Sequence, residues 1–172
     1  TSLVNAYTEG LGPSERVVLW DTFLNGSFSP DEVRVVLAHE LGHVARSHIL
    51  KGLAWYALFA FPLALAVGEL TRRRGGMGEP GNVPLAALIL VLLSFAVAPA
   101  SNAITRRYEA EADWIALEAT RDPDSARQLF AGFVSADLAD PTPSFWEEQL
   151  FGSHPSLADR IAMAQAWQQR NR

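Results

Sequence analysis

The sequence predicts a mainly α-helical chain with a small antiparallel β element and an inserted two-helix transmembrane hairpin. Three observations carry this expectation. No charged side chain occurs from Gly52 to Gly68 or from Pro80 to Thr105. Ser29, Pro30, Asp31 and Glu32 spell a helix start. Only two short runs favour strands, so any sheet must be small. With 172 residues, 49% of them hydrophobic, the chain fits one domain, 1–172, and is too apolar for a disordered tail.

In chain order, Val4 to Tyr7 and Val17 to Trp20 are the β-prone runs, separated by Gly10, Gly12 and Pro13. Next comes the helix start, with Ser29 as the cap, Pro30 at the first helical position and Glu32 where a capping box wants it. That helix should pass through Val33, Val36, Leu37, Leu41 and Val44, and nothing before Lys51 breaks it except the tolerated Gly42. The first apolar stretch is 17 uncharged residues long, about 26 Å as a helix, and the second, of 26 residues, easily crosses a bilayer core of about 30 Å. We place the hairpin at about 53–70 and 83–103, joined through Arg72, Arg73, Arg74, Gly75, Gly76, Gly78 and Pro80. The competing reading is a soluble domain in which both stretches are buried core helices. Beyond the hairpin, helices are expected over Asn102 to Thr120, Ser125 to Leu138 and Pro155 to about Gln169, with Pro141 and Pro143 in a loop.

Composition removes whole classes of function. The 19 acids outnumber the 14 bases, for a net charge of -5, so no basic surplus exists for binding nucleic acid. Zero cysteines exclude a disulfide framework, a thiolate metal site and a cysteine nucleophile, leaving His and carboxylates as metal ligands.

His39, Glu40, Leu41, Gly42 and His43 form an H-E-x-x-H motif inside the well-capped helix. Residues four apart share a helix face, so both imidazoles can converge on one metal ion. Glu40 lies close enough to take a proton from a water held there. On a continuous helix His48, nine residues beyond His39, points to the opposite face, which reads as structural or interfacial. A third ligand must then come from elsewhere, and a carboxylate on a second helix is expected. Glu109, Glu111 and Asp113 follow the second apolar stretch. Glu109 and Asp113 are one turn apart, so one can bind metal while the other hydrogen-bonds the outer nitrogen of a ligand histidine. Periodicity does not separate Glu109 from Glu111.

The motifs together resemble the integral-membrane zinc metallopeptidases of the CaaX prenyl protease type, with HtpX-like heat-shock proteases as relatives. Asn5, Ala6 and Tyr7 are similar to that family's N-A-Y segment, and Val18 to Thr22 with Leu24 to its V-L-x-D-T-L run. Asn102, Arg106, Glu109, Ala112 and Asp113 match its second helix, and His154, Pro155, Arg160 and Ile161 its closing motif. Val44 and Thr105 stand where Trp and Ser are usual. The resemblance implies an α+β zincin-like metallopeptidase core with the hairpin inserted between the H-E-x-x-H and E-x-x-x-D helices. It further implies Zn2+, one per chain, on His39, His43 and Glu109, with Asp113 behind them and His154 and Arg160 at the active site. Transmembrane helices are expected ahead of the N-A-Y segment, which makes this chain the catalytic portion of a longer protein.

The expected function is therefore a zinc-dependent endopeptidase with Glu40 as the base, cutting peptide or protein substrates at a lipid bilayer. A soluble zinc metalloprotease is the closest rival, and a catalytically inactive membrane interaction module leaves both motifs to coincidence. Substrate is expected to add as a strand along Asn5, Ala6, Tyr7 and Thr8. Five bases (Arg34, Arg46, Lys51, Arg106, Arg107) flank the active-site end of the hairpin against three at its tip. The positive-inside rule then places the active site in the cytoplasm. Arginine outnumbers lysine thirteen to one, a bias that points to a GC-rich bacterial genome and so to a bacterial cell membrane.

Overall fold

A computed structural model describes residues 4–136 and 140–172. Two strands, β1 (Ala6–Glu9) and β2 (Arg16–Leu19), pair antiparallel with Ala6 opposite Leu19 and Glu9 opposite Arg16. Helices α1 (Pro30–Ala45), α2 (His48–Arg72), α3 (Val83–Thr120), α4 (Pro123–Ala136), α5 (Phe145–Phe151) and α6 (Leu157–Arg170) follow. The capping box that starts α1 forms as the sequence predicts. Ser29 Oγ accepts from the Glu32 amide at 3.2 Å and the Ser29 amide donates to Glu32 Oε2 at 2.7 Å.

The structure moves two boundaries. The helix carrying the H-E-x-x-H motif does not continue into the apolar stretch: it stops at Ala45, and Ser47 adopts a left-handed conformation with φ 54° before α2 begins at His48. Conversely, the second apolar stretch and the carboxylate-bearing segment are one helix. At 38 residues, α3 is about 57 Å long. The expected strands shift toward the turn between them, and the expected end of α4 at Leu138 lies outside the described residues. Helix α5 has no counterpart in the sequence expectation, although Ser144 caps it by accepting from the Glu147 amide.

Helices α2 and α3 form the hairpin. At its tip, Gly75 and Gly76 have φ of 91° and 73°, which side chains resist, and Asn82 Nδ2 donates to the carbonyls of Arg74 and Gly76. Both helices are long and apolar enough to cross a membrane, and their apolar windows are only 0% and 6% buried. Two core helices of a soluble domain would be mostly buried, so the exposed Leu58, Phe61, Leu65, Leu88 and Leu92 need an apolar environment outside the chain.

The hydrophobic core lies beyond the hairpin. Phe23 and Phe28 from the loop before α1, Val35 and Val36 from α1, Ala116 and Leu117 from α3, Leu129 and Phe130 from α4, and Trp167 from α6 form one buried cluster. This core anchors α1 across the C-terminal half of α3.

Candidate active site

Gly42 sets the distance between α1 and α3. A Cβ at this position would stand 3.3 Å from Ala112 Cα, tighter than packed helices ordinarily allow, and in contact with the Ala112 carbonyl oxygen at 3.5 Å. The resulting close approach brings His39 and His43, one turn apart on α1, against Glu109 and Asp113, one turn apart on α3. His39 Nε2 and His43 Nε2 are 3.1 Å apart. Glu109 Oε2 lies 3.3 Å from His39 Nε2, and Glu109 Oε1 lies 3.5 Å from His43 Nε2.

These distances fit a metal. Ligands about 2.05 Å from a tetrahedral zinc stand about 3.3 Å from one another, which is the spacing of the three groups. Glu109 Oε2 is buried and accepts no hydrogen bond, although imidazole nitrogens of His39 and His154 both lie 3.3 Å away. A buried carboxylate oxygen left in that condition is costly unless a cation completes it. Burial opposes charge on His39, yet the facing carboxylates of Asp113 and Glu109 outweigh it and raise its pKa to about 9. Burial, and then the neighbouring His39, lower the His43 pKa to about 4. The cluster thus attracts one positive charge and keeps the second imidazole neutral, with a lone pair to offer.

Asp113 Oδ1 accepts from His39 Nδ1 at 2.8 Å, which leaves His39 Nε2 as the nitrogen facing the cluster. Asp113 is itself gripped by Arg160, whose Nε and Nη2 donate at 2.7 and 2.6 Å while the guanidinium stacks 4.2 Å above the Phe130 ring. The resemblance implies Arg160 at the active site; here it is only 8% exposed and both of its short hydrogen bonds go to Asp113, so it reaches the cluster through that carboxylate. His154 is at the mouth, its side chain 59% exposed and Nε2 3.3 Å from Glu109. Its loop is held by Arg106, whose Nη1 donates to the carbonyls of Glu148 and Gly152 at 2.7 and 2.8 Å.

Glu40 is buried beside His39, and its Oε2 accepts from Thr8 Oγ1 at 2.9 Å. Sequence reasoning missed this role of Thr8, and nothing in the strand pattern signals it. It also misaimed His48, because the break at Ser47 turns that ring back to within 3.0 Å of His43 Nδ1. Glu111, left open as a rival to Glu109, faces away from the cluster and pairs with Arg46 and His48.

A cleft of about 1230 Å³ runs from Asn5–Thr8, His39, Glu40 and Glu109 into the space between α2 and α3, where Trp55, Phe59, Leu63, Val67 and Leu90 line it. Two imidazoles and a facing carboxylate at metal-ligand spacing, with a spare carboxylate beside them and an open cleft alongside, form a candidate metal centre of the kind a helical metallopeptidase uses.

Comparison with known proteins gives this class its family. Residues 1–168 match Peptidase family M48, and the chain belongs to that family. It is 33% identical over 175 residues to the uncharacterized metalloprotease YhfN of Bacillus subtilis, covering 96% of this chain and 41% of that one. It is 29% identical to a CAAX prenyl protease 1 homolog of Dictyostelium discoideum (91% and 38% covered). With protease HtpX of Alcanivorax borkumensis it shares 30% identity (94% and 61% covered). The crystal structure of S. mikatae Ste24p superposes with a TM-score of 0.78 over 95% of this chain and 42% of that one, at 24% identity, a likeness of fold. The chain spans between 38% and 61% of the length of these relatives.

Proposed function

We propose that residues 1–172 are one metallopeptidase domain, the catalytic portion of a zinc endopeptidase held in a bacterial cell membrane. The hairpin, at about 53–70 and 83–103, crosses the bilayer and the active site faces the cytoplasm. The observation that carries the reading is the set of mutual distances of His39, His43 and Glu109, 3.1 to 3.5 Å, with the Glu40 carboxylate beside them.

One zinc ion held by His39, His43 and Glu109 would supply Lewis acidity toward the scissile carbonyl and toward a water molecule. Glu40 accepts the proton of the attacking water and hands it to the departing amine, the two halves of general acid–base catalysis. Thr8 holds the Glu40 carboxylate in place during the exchange. His154 Nε2, at the mouth, is positioned to donate toward the carbonyl oxygen as negative charge builds on it. Asp113 and Arg160 fix the tautomer of His39 from behind.

Substrate enters as a third strand along β1. Trp20 N donates to Asn5 O at 3.0 Å, so in the alternating antiparallel pattern the amides of Asn5 and Tyr7 face β2 and those of Ala6 and Thr8 face outward. A strand there gains backbone hydrogen bonds whatever its sequence, while the apolar cleft accepts a membrane-embedded flank.

The test is metal analysis with cleavage-site profiling on a peptide library, comparing the native chain with Glu40→Gln. The variant keeps its zinc and loses about 10²- to 10⁴-fold in turnover. Turnover at the native rate would refute the mechanism.

A further inference from the structure

His39 has a carboxylate behind it; His43 has, in the same place, another histidine. His43 Nδ1 lies 3.0 Å from His48 Nδ1, and His48 Nε2 lies 3.3 Å from Glu111 Oε2. Glu111 is in turn paired with Arg46. His48 is only 5% exposed, and its ring stacks on Tyr108 with centroids 4.5 Å apart and planes at 15°. Tyr108 is itself tied down, its hydroxyl accepting from Trp55 Nε1 at 3.0 Å.

We propose that His48 and Glu111 are positioning residues that fix the tautomer and ring orientation of His43 for metal binding, through a carboxylate–imidazole–imidazole chain. This rests on the reading of His39, His43 and Glu109 as metal ligands.

The chain can be filled with protons in two ways. If His48 Nε2–H donates to Glu111, its Nδ1 is a bare acceptor, His43 Nδ1–H donates to it, and His43 Nε2 keeps a lone pair facing Glu109 and His39. In the reverse arrangement His48 Nδ1–H donates to His43. That sets a bare His48 nitrogen against the Glu111 carboxylate and a proton on His43 Nε2, where the metal belongs. The carboxylate at the far end selects the first arrangement, because two acceptors 3.3 Å apart repel. Glu111 thus does for His43, at one remove, what Asp113 does for His39 directly.

The backbone is built to deliver this contact. A continuous helix would carry His48 away from the face of His43. The break at Ser47, a non-glycine residue at φ 54°, instead swings the ring back behind it. Such a conformation persists only where surrounding contacts hold it. Here the Arg46–Glu111 pair, the Tyr108 stack and the His43 contact do so.

The test is metal affinity, measured by chelator competition on the purified full chain in detergent with zinc, and by the visible absorption of the cobalt-substituted protein. His48→Phe keeps a ring on Tyr108 and removes both nitrogens; the expected loss is about 10- to 100-fold in zinc affinity with an altered cobalt spectrum. His48→Asn, whose amide oxygen stands where Nδ1 stood, restores an acceptor and recovers most of that loss. A packing role predicts the opposite order, with Phe tolerated and Asn harmful. Glu111→Leu, on a partly exposed surface, tests the far end without emptying the interior and is expected to weaken zinc about tenfold. Native affinity in His48→Phe, or Asn no better than Phe, would overturn the relay. A native chain whose zinc binding is indifferent to Glu109→Gln would instead overturn the ligand set on which the relay rests.

Discussion

Replacing Arg160 with Met separates a buried ion pair from a surface one. Met retains the apolar stem over Phe130 and deletes the guanidinium that donates twice to Asp113. Asp113 is 3% exposed, so its carboxylate would be left charged in the interior with only His39 as a partner. Breaking a buried pair this way costs about 3–5 kcal/mol. For a chain of this size each kcal/mol lowers Tm by about 2–4 °C, so the expected drop is about 6–20 °C. The assay is thermal unfolding by circular dichroism in detergent with chelator present, which keeps metal affinity from entering the stability. The double variant Asp113→Asn/Arg160→Met removes both charges and should recover most of the loss. An exposed pair contributes about 0–1 kcal/mol; a single-variant drop below about 4 °C, unchanged by the second substitution, would refute the claim that Arg160 sustains Asp113.

Thr8→Val removes the donor to Glu40 at nearly constant volume. A hydrogen bond to a charged group contributes about 1.5–3 kcal/mol, so kcat should fall roughly 10- to 100-fold with KM and zinc content unchanged, and native kcat would show that Glu40 needs no such support. Ala6→Pro deletes an outward amide without touching the β1–β2 ladder and should raise KM about 5- to 10-fold, the share of one or two backbone hydrogen bonds; inhibitors that bind away from β1 would refute strand addition. In sealed right-side-out vesicles a cysteine at Gly76 should react with an impermeant reagent while one at Ser27 should not, and the reverse pattern would invert the topology.

Local chemistry made much of this legible in the sequence. The capping box at Ser29 and Glu32, the four-residue spacing of His39 and His43, and that of Glu109 and Asp113 depend on nearby residues, and each appears in the structure as its spacing implies. What the sequence hid depends on contacts made across the fold. Hydropathy marked the change from apolar to charged residues near Thr105 as an element boundary, whereas α3 runs through it because nothing there breaks a helix. Ser47 is an ordinary helix residue by propensity; its left-handed conformation is held by the contacts of Arg46 and His48, above all with Glu111, more than sixty positions away. Glu109 and Glu111 could be told apart only once α1 was laid across α3 at Gly42. For Arg160, no local spacing pointed to Asp113, 47 residues earlier, which the core places beside its guanidinium.

For the membrane peptidase proposed above, the unbroken course of α3 means a fixed cutting height. Thr105 is the last residue of the apolar stretch and Glu109 comes four residues later, so the helix lifts the cluster about 6 Å past the end of the apolar surface. An extended peptide climbs about 3.3 Å per residue, and one whose apolar flank stays in the bilayer therefore presents to Glu40 the bonds about two residues beyond its anchor. With no joint between the membrane span and the ligand-bearing turn, that depth cannot be retuned by a loop. The position of a cut would then be set by where a substrate leaves the lipid, measured along a helix, rather than by the identity of the residues on either side of the bond.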